Sequence, residues 1–178
     1  MSLTPQRVLI DRQEIAAKVQ EMARAIETRH HHPDPLLVVT VLRGAVIFAS
    51  DLMRELRLPL SVEFVAVESY GTSTRSSGIV NITRDVSEDL DGRHVLLVED
   101  IVDTGLTLRY LQSHLLGKKP ASLEVAVLLD KISHRQVDVT VDYTGFVIPD
   151  AFVVGYGLDY SGLYRNLPDL MVLGEDAS

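Results

Sequence analysis

The sequence predicts an α/β fold built on a largely parallel sheet flanked by helices, and three observations predict it. Apolar runs of strand length alternate along the chain with stretches whose apolar residues recur at helical spacing. The runs LLVVTVL (36–42), HVLLVE (94–99) and SLEVAVLL (122–129) are nearly continuous rather than alternating, as strands covered on both faces are. The order strand, helix, strand occurs twice, and such crossovers are right-handed.

Taken in order, Ile15, Val19, Met22 and Ile26 recur at intervals of four, three and four, which marks the first helix. Asp11 followed by Glu14 gives it a start like a capping box. RHHHPDP breaks it, and Pro33 and Pro35 lead into LLVVTVL. Three adjacent histidines, 30–32, read as a solvated turn, because consecutive residues at a helix end rarely converge on one ion. Residues 45–56, with Ala45, Phe48, Ala49, Leu52 and Leu56, form the next helix, and VEFVAV (62–67) the next strand. SYGTSTRSSG (69–78) is too polar to bury. A further strand-like run and the DLDGR turn lead to HVLLVE, a helix over about 104–116, and SLEVAVLL. From about 143 come short strand-like pieces and loops, expected to fold over one end of the sheet. No boundary divides the chain, so residues 1–178 are expected to form one domain.

Composition narrows the function. The hydrophobic content of 46% with 24% charged residues is ordinary for a globular protein. A net charge of -8 argues against broad binding to nucleic acid or anionic membrane, while leaving room for a local cationic pocket. The chain has no cysteine, which removes disulfides, thiolate zinc sites and cysteine nucleophiles. No apolar segment approaches the roughly 20 residues needed to span a bilayer. The N-terminus lacks a signal peptide's apolar core, so a cytoplasmic location is expected.

The chemistry concentrates in VLLVEDIVDTGLTL (95–108), where an apolar run meets Glu99, Asp100 and then Asp103. Ligands of parallel sheets bind beyond the carboxyl ends of the strands. A Thr104–Gly105 turn opening a helix offers free N–H groups and a positive dipole end to a phosphate. Carboxylates accept from vicinal hydroxyls, so the segment suits a sugar phosphate. The plainer reading is that Asp103 caps the helix and the two acids solvate a strand end. VEDIVDTGLTL, however, resembles the phosphoribosyl-diphosphate motif of the type I phosphoribosyltransferases. The resemblance covers nearly the whole chain, and points to the bacterial hypoxanthine-guanine branch of that family. It implies the family's fold, with a small hood and lid over the strand carboxyl ends.

Other stretches carry the same resemblance. VLRGAVIFASDL is similar to the family's diphosphate loop, which implies diphosphate contacts from Arg43 and Gly44; the family most often has Lys where Arg43 stands. SYGTSTRSSG resembles its mobile lid, beginning at Ser69 and Tyr70. LLDKISHR places Lys131 where the family recognises O6 of a purine. PDAFVVGYGLDYSGLYRNLP implies that Phe152 stacks on the base, the Val153 backbone meets its edge, Asp159 reaches the metal and Arg165 binds diphosphate. The implied reaction joins hypoxanthine or guanine to 5-phospho-α-D-ribosyl 1-diphosphate. Asp103 is its acid/base, and Glu99 and Asp100 hold the ribose hydroxyls and take part in the metal site. Asp103, Thr104, Gly105 and Thr107 cradle the 5′-phosphate. Mg²⁺ is the implied cofactor, since hard oxygen ligands and a phosphate-bearing substrate favour it.

Two rivals share the motif. One is a xanthine-accepting 6-oxopurine enzyme; the other is an RNA-binding regulator on the same fold, usually with Tyr at position 103 and needing a basic face. The family commonly forms homodimers or homotetramers. The apolar helix 45–56 suits such an interface, and core burial explains it equally well.

Overall fold

In the computed structural model, residues 3–30, 32–69 and 80–175 are described. A six-stranded sheet forms the body. Its strands are β2 (Leu36–Leu42), β3 (Leu60–Ser69), β4 (Val80–Arg84), β5 (His94–Val102), β6 (Ser122–Asp130) and β7 (Tyr143–Val147), in the order β4-β3-β2-β5-β6-β7. All neighbours pair in parallel except β4, an antiparallel edge on β3. The continuous apolar runs are explained by what covers them. Leu36, Val38, Leu96 and Val98 face a core completed by α1 (Arg12–Arg29) and α2 (Val46–Glu55). Leu37, Val39, Val95 and Leu97 face the opposite core under α3 (Leu106–Leu116).

The first helix starts as its sequence foretells. Asp11 accepts from the N–H groups of Gln13 and Glu14 at 2.8 and 2.9 Å, and Glu14 accepts from Asp11 N–H at 3.0 Å. In the second helix Ala45, Phe48, Ala49, Leu52 and Leu56 are all buried. Those side chains therefore fill the core rather than present an interface.

A second, antiparallel sheet was not foreseen at the N-terminus: β1 (Leu3–Ile10), β9 (Leu170–Glu175) and β8 (Val153–Val154), in the order β1-β9-β8. Most of β1 is half-buried or exposed, so it carries little hydrophobic period; its partner β9 lies at the far end of the chain. This small sheet brings the 152–159 segment against the main sheet. The histidine turn is solvated as expected, with His32 exposed and His30 half-buried. The rings of His30 and His32 meet His94 at the entry to β5, His32 stacking on it at 3.7 Å and His30 edge-on at 5.6 Å.

Candidate active site

Loops at the carboxyl ends of β2, β5 and β6, together with the segment that follows β7, build the site. After β2, Arg43 is exposed, the Leu42–Arg43 peptide is cis, and Gly44 lies against Asp100. The approach is so close that a Cβ on Gly44 would stand 1.6 Å from Asp100 Oδ2. Gly157 in turn lies over the Gly44 carbonyl, where a Cβ would come within 2.1 Å of the oxygen. Only glycine at both positions lets these backbones and the carboxylate share the space.

The strand carrying the acids is longer than the sequence suggests. β5 runs through Glu99 and Asp100 to Val102, because its pairing with β6 continues to Val102–Asp130. Glu99 therefore sits inside the ladder and is buried. Burial, and then the charge of Asp100, push the Glu99 carboxyl well above the usual carboxylate range. Asp100 is raised too, chiefly by burial, while its contact with Glu99, two backbone N–H groups and the Arg165 charge act in the opposite direction. Such a pair is suited to hydroxyl donors or a cation.

The turn that follows also differs. α3 begins at Leu106 with Gly105 as its N-cap, in the left-handed region at φ 84°. Asp103 is thus not the helix cap, and it lines the cavities beside the turn instead. The helix's first N–H groups have no preceding carbonyl to bond. They open on a small cavity of about 90 Å³ lined by Glu99, Asp103, Thr104, Gly105 and Thr107.

A larger cavity of about 220 Å³ adjoins the same carboxylates and is lined by Asp100, Ile101, Asp103, Lys131, Phe152, Val153, Leu158 and Asp159. Lys131 N–H donates to the Val102 carbonyl at 2.9 Å, which fixes its backbone beside β5. Its buried side chain lies 3.5 Å from Asp150 Oδ1. Phe152 is 52% exposed although large and apolar, its ring edge-on to Tyr160 at 5.5 Å. An exposed aromatic beside a cavity with a buried lysine suits a flat, polar-edged ligand.

Asp159 and Arg165 are tied together. Arg165 Nη2 lies 2.5 Å from Asp159 Oδ1, and Nη1 donates to the Gly157 carbonyl at 2.6 Å. The other Asp159 oxygen accepts from Gly162 N–H at 2.7 Å. The arrangement thus joins Gly44, Asp100, Gly157, Asp159 and Arg165 in one connected wall. Ser69 ends β3, whereas Tyr70 and the rest of the expected lid lie outside the described residues.

Sequence reasoning missed two polar residues here, Asp150 beside Lys131 and His134, whose Nδ1 bonds Asp103 Oδ1. An exposed histidine in a short 3-10 turn carries no signal of its own. Only its position near the acidic turn could have suggested it.

Comparison with known proteins gives the arrangement its relatives. The model of the phosphoribosyl transferase domain family matches residues 9–161. The chain is 43% identical over 167 residues to the hypoxanthine-guanine phosphoribosyltransferase of Aquifex aeolicus (strain VF5), spanning 94% of both. It matches a solved hypoxanthine-guanine phosphoribosyltransferase from Bacillus anthracis str. 'Ames Ancestor' with a TM-score of 0.90 and 39% identity, over 95% of this chain and 99% of that one. The hypoxanthine phosphoribosyltransferase of Trypanosoma cruzi, solved in complex with the product IMP, matches with a TM-score of 0.90 and 40% identity, over 98% and 97%.

Proposed function

The chain belongs to the phosphoribosyltransferase family, and from that premise we propose that it serves purine salvage. It transfers the 5-phosphoribosyl group from 5-phospho-α-D-ribosyl 1-diphosphate to N9 of hypoxanthine or guanine, giving IMP or GMP and diphosphate. One observation carries the reading: the larger cavity gathers Asp100 and Asp103 of the acidic motif with Lys131, Phe152, Val153 and Asp159 from two other stretches. A sugar-phosphate motif alone would leave the acceptor open; its junction with a buried cation and an exposed aromatic suits the 6-oxopurine that the family resemblance implies.

The roles in this reading are those the family resemblance implies, and the positions of the residues support them. The first-turn N–H groups of α3, with Thr104, Gly105 and Thr107, receive the 5′-phosphate in the smaller cavity. Glu99 and Asp100 accept from the ribose 2′- and 3′-hydroxyls, contacts that offset the cost of burying them. Arg43, the Gly44 backbone and Arg165 take the diphosphate, whose charge grows as its bond to C1 lengthens. Lys131 donates to O6 of the base, Phe152 packs on its face, and the Val153 backbone meets its edge. Asp103 takes the N7 proton as N9 bonds to C1. The lid beginning at Ser69 and Tyr70 excludes water from the reacting sugar.

Magnesium fits the donor set. Asp100 and Asp159 line the same cavity and Glu99 adjoins Asp100, so a few hard oxygen donors stand beside the space for a phosphate-bearing substrate, the setting Mg²⁺ favours. Asp159, held by Arg165 and by Gly162 N–H, would be the protein's carboxylate toward the ion. When bound, Mg²⁺ neutralises diphosphate charge. The names of the relatives favour hypoxanthine and guanine over xanthine, and an enzyme over an RNA-binding regulator.

Among the described residues no helix is long and apolar enough to cross a membrane, and the reading includes a cytoplasmic location. It also includes assembly as a homodimer or homotetramer, which light scattering would measure directly. The test of function is a competition of hypoxanthine, guanine and xanthine for phosphoribosyl diphosphate, with and without Mg²⁺. Transfer to the first two with Mg²⁺ is expected. Equal use of xanthine, or no transfer at all, would overturn the reading.

A further inference from the structure

The turn that carries Asp103 is braced from outside the cavity by the segment after β6. The N–H groups of Gln136 and Val137 donate to the Thr104 carbonyl at 2.9 and 3.3 Å. Val137 also closes over Gly105, where an added Cβ would meet its carbonyl oxygen at 3.1 Å. At the head of this brace stands the 3-10 turn Ile132–His134, from which His134 Nδ1 bonds Asp103 Oδ1. His134 lines neither cavity, and its side chain is 48% exposed. It therefore touches the proton-handling carboxylate without meeting the space reserved for substrate.

We propose that His134 is a positioning residue for Asp103: its imidazolium holds one carboxylate oxygen at the rim and leaves the other for the purine proton. The inference rests on the purine-transfer reading given above. The groups facing the ring come from three directions. Asp103 approaches from the β5–α3 turn, Asp150 from the segment before β8, and Lys131 from the end of β6. The neighbouring Arg135 is turned away onto Asp130 at 2.9 Å. The Asp103 hydrogen bond and charge, with help from Asp150, hold His134 above the usual histidine range, against burial and Lys131. The charged bond is thus present below that raised value and lost as pH rises through it. Above it the ring offers only a neutral hydrogen bond, roughly half as strong.

The experiment is steady-state transfer to hypoxanthine from about pH 6 to 10, across the histidine range, in the unaltered chain, His134→Arg and His134→Gln. The unaltered chain is expected to lose on the order of tenfold in kcat along an alkaline limb, a fraction of what acid–base catalysis contributes. His134→Arg, permanently charged, should keep most of kcat and lack that limb. His134→Gln should be about tenfold slower at every pH, with KM for phosphoribosyl diphosphate within about twofold. Identical pH profiles in all three chains overturn the inference alone. An unaltered chain with no transfer to either purine overturns the functional reading and the inference with it. NMR titration gives a second, activity-free readout: in Asp103→Asn the His134 pKa should fall toward the ordinary value, and an unchanged titration also overturns the inference.

Discussion

Gly44→Ala tests the wall between the diphosphate loop and the acid pair. The new methyl would stand 1.6 Å from Asp100 Oδ2 and 2.6 Å from its Cγ. An ordinary contact needs a little over 3 Å, so the carboxylate must retreat by roughly 1.5 Å. Little else can yield. Asp100 Oδ1 accepts from Ile101 N–H at 2.8 Å, β5 is locked in its ladder, and Gly157 leaves no room behind the Gly44 carbonyl. Overpacking of this kind costs about 1–3 kcal/mol, or about 2–12 °C in Tm for a chain of this size. The effect on chemistry is larger, because a carboxylate misplaced by about 1 Å costs on the order of 100-fold in rate. The assay is kcat/KM for phosphoribosyl diphosphate beside a thermal melt. Gly92→Ala is the control: its φ of 71° strains a side chain, but no atom lies within 4 Å of the new Cβ. That variant should lose stability and keep activity. If Gly44→Ala retains kcat/KM within about threefold, the close contact has no catalytic meaning and the reasoning fails.

Other outcomes follow from the same geometry. Asp103→Asn should lower turnover by on the order of 100-fold or more while calorimetry shows phosphoribosyl-diphosphate binding largely intact; near-normal turnover would remove its acid/base role. Lys131→Met should raise KM for hypoxanthine by about 10- to 100-fold, the worth of a charged hydrogen bond, and narrow the preference over adenine in a competition assay. Chelation of Mg²⁺ should abolish transfer, and added Mg²⁺ should restore it. Burial, with the nearby His32 and His30, holds the His94 imidazole below its usual pKa. The unfolded chain then binds that proton more readily, so the contribution to stability is full above about pH 6.5 and lost as pH falls through the lowered value. Urea midpoints at neutral and acidic pH measure it, and His94→Phe should flatten that part of the dependence.

Much of the body was legible because local physics and tertiary demand agree there. The helix at Ile15–Ile26 shows its period, its capping box is made by residues three apart, and the strands at 36–42 and 122–129 are nearly continuous apolar runs because helices cover both faces. The hood strand β1 was not legible. Its hydrogen bonds go to β9, a partner far along the chain, and little of its surface is buried. The acids were located by type and order, yet their setting was not. That β5 carries Glu99 within the ladder depends on β6 lying alongside, and burial is what raises its carboxyl.

The sequence by itself therefore determined the α/β class, the acid-rich turn and the residue types at hand for a sugar phosphate and a purine. Those follow from hydrophobic period and from functional groups, which the chain states locally. The tertiary structure alone decided that Gly44 and Gly157 meet at Asp100, that Arg165 is bound to Asp159, and that His134 reaches Asp103. Each is a contact between segments well separated along the chain. No local preference encodes such a distance; it is set only when the sheet is assembled and its carboxyl ends converge.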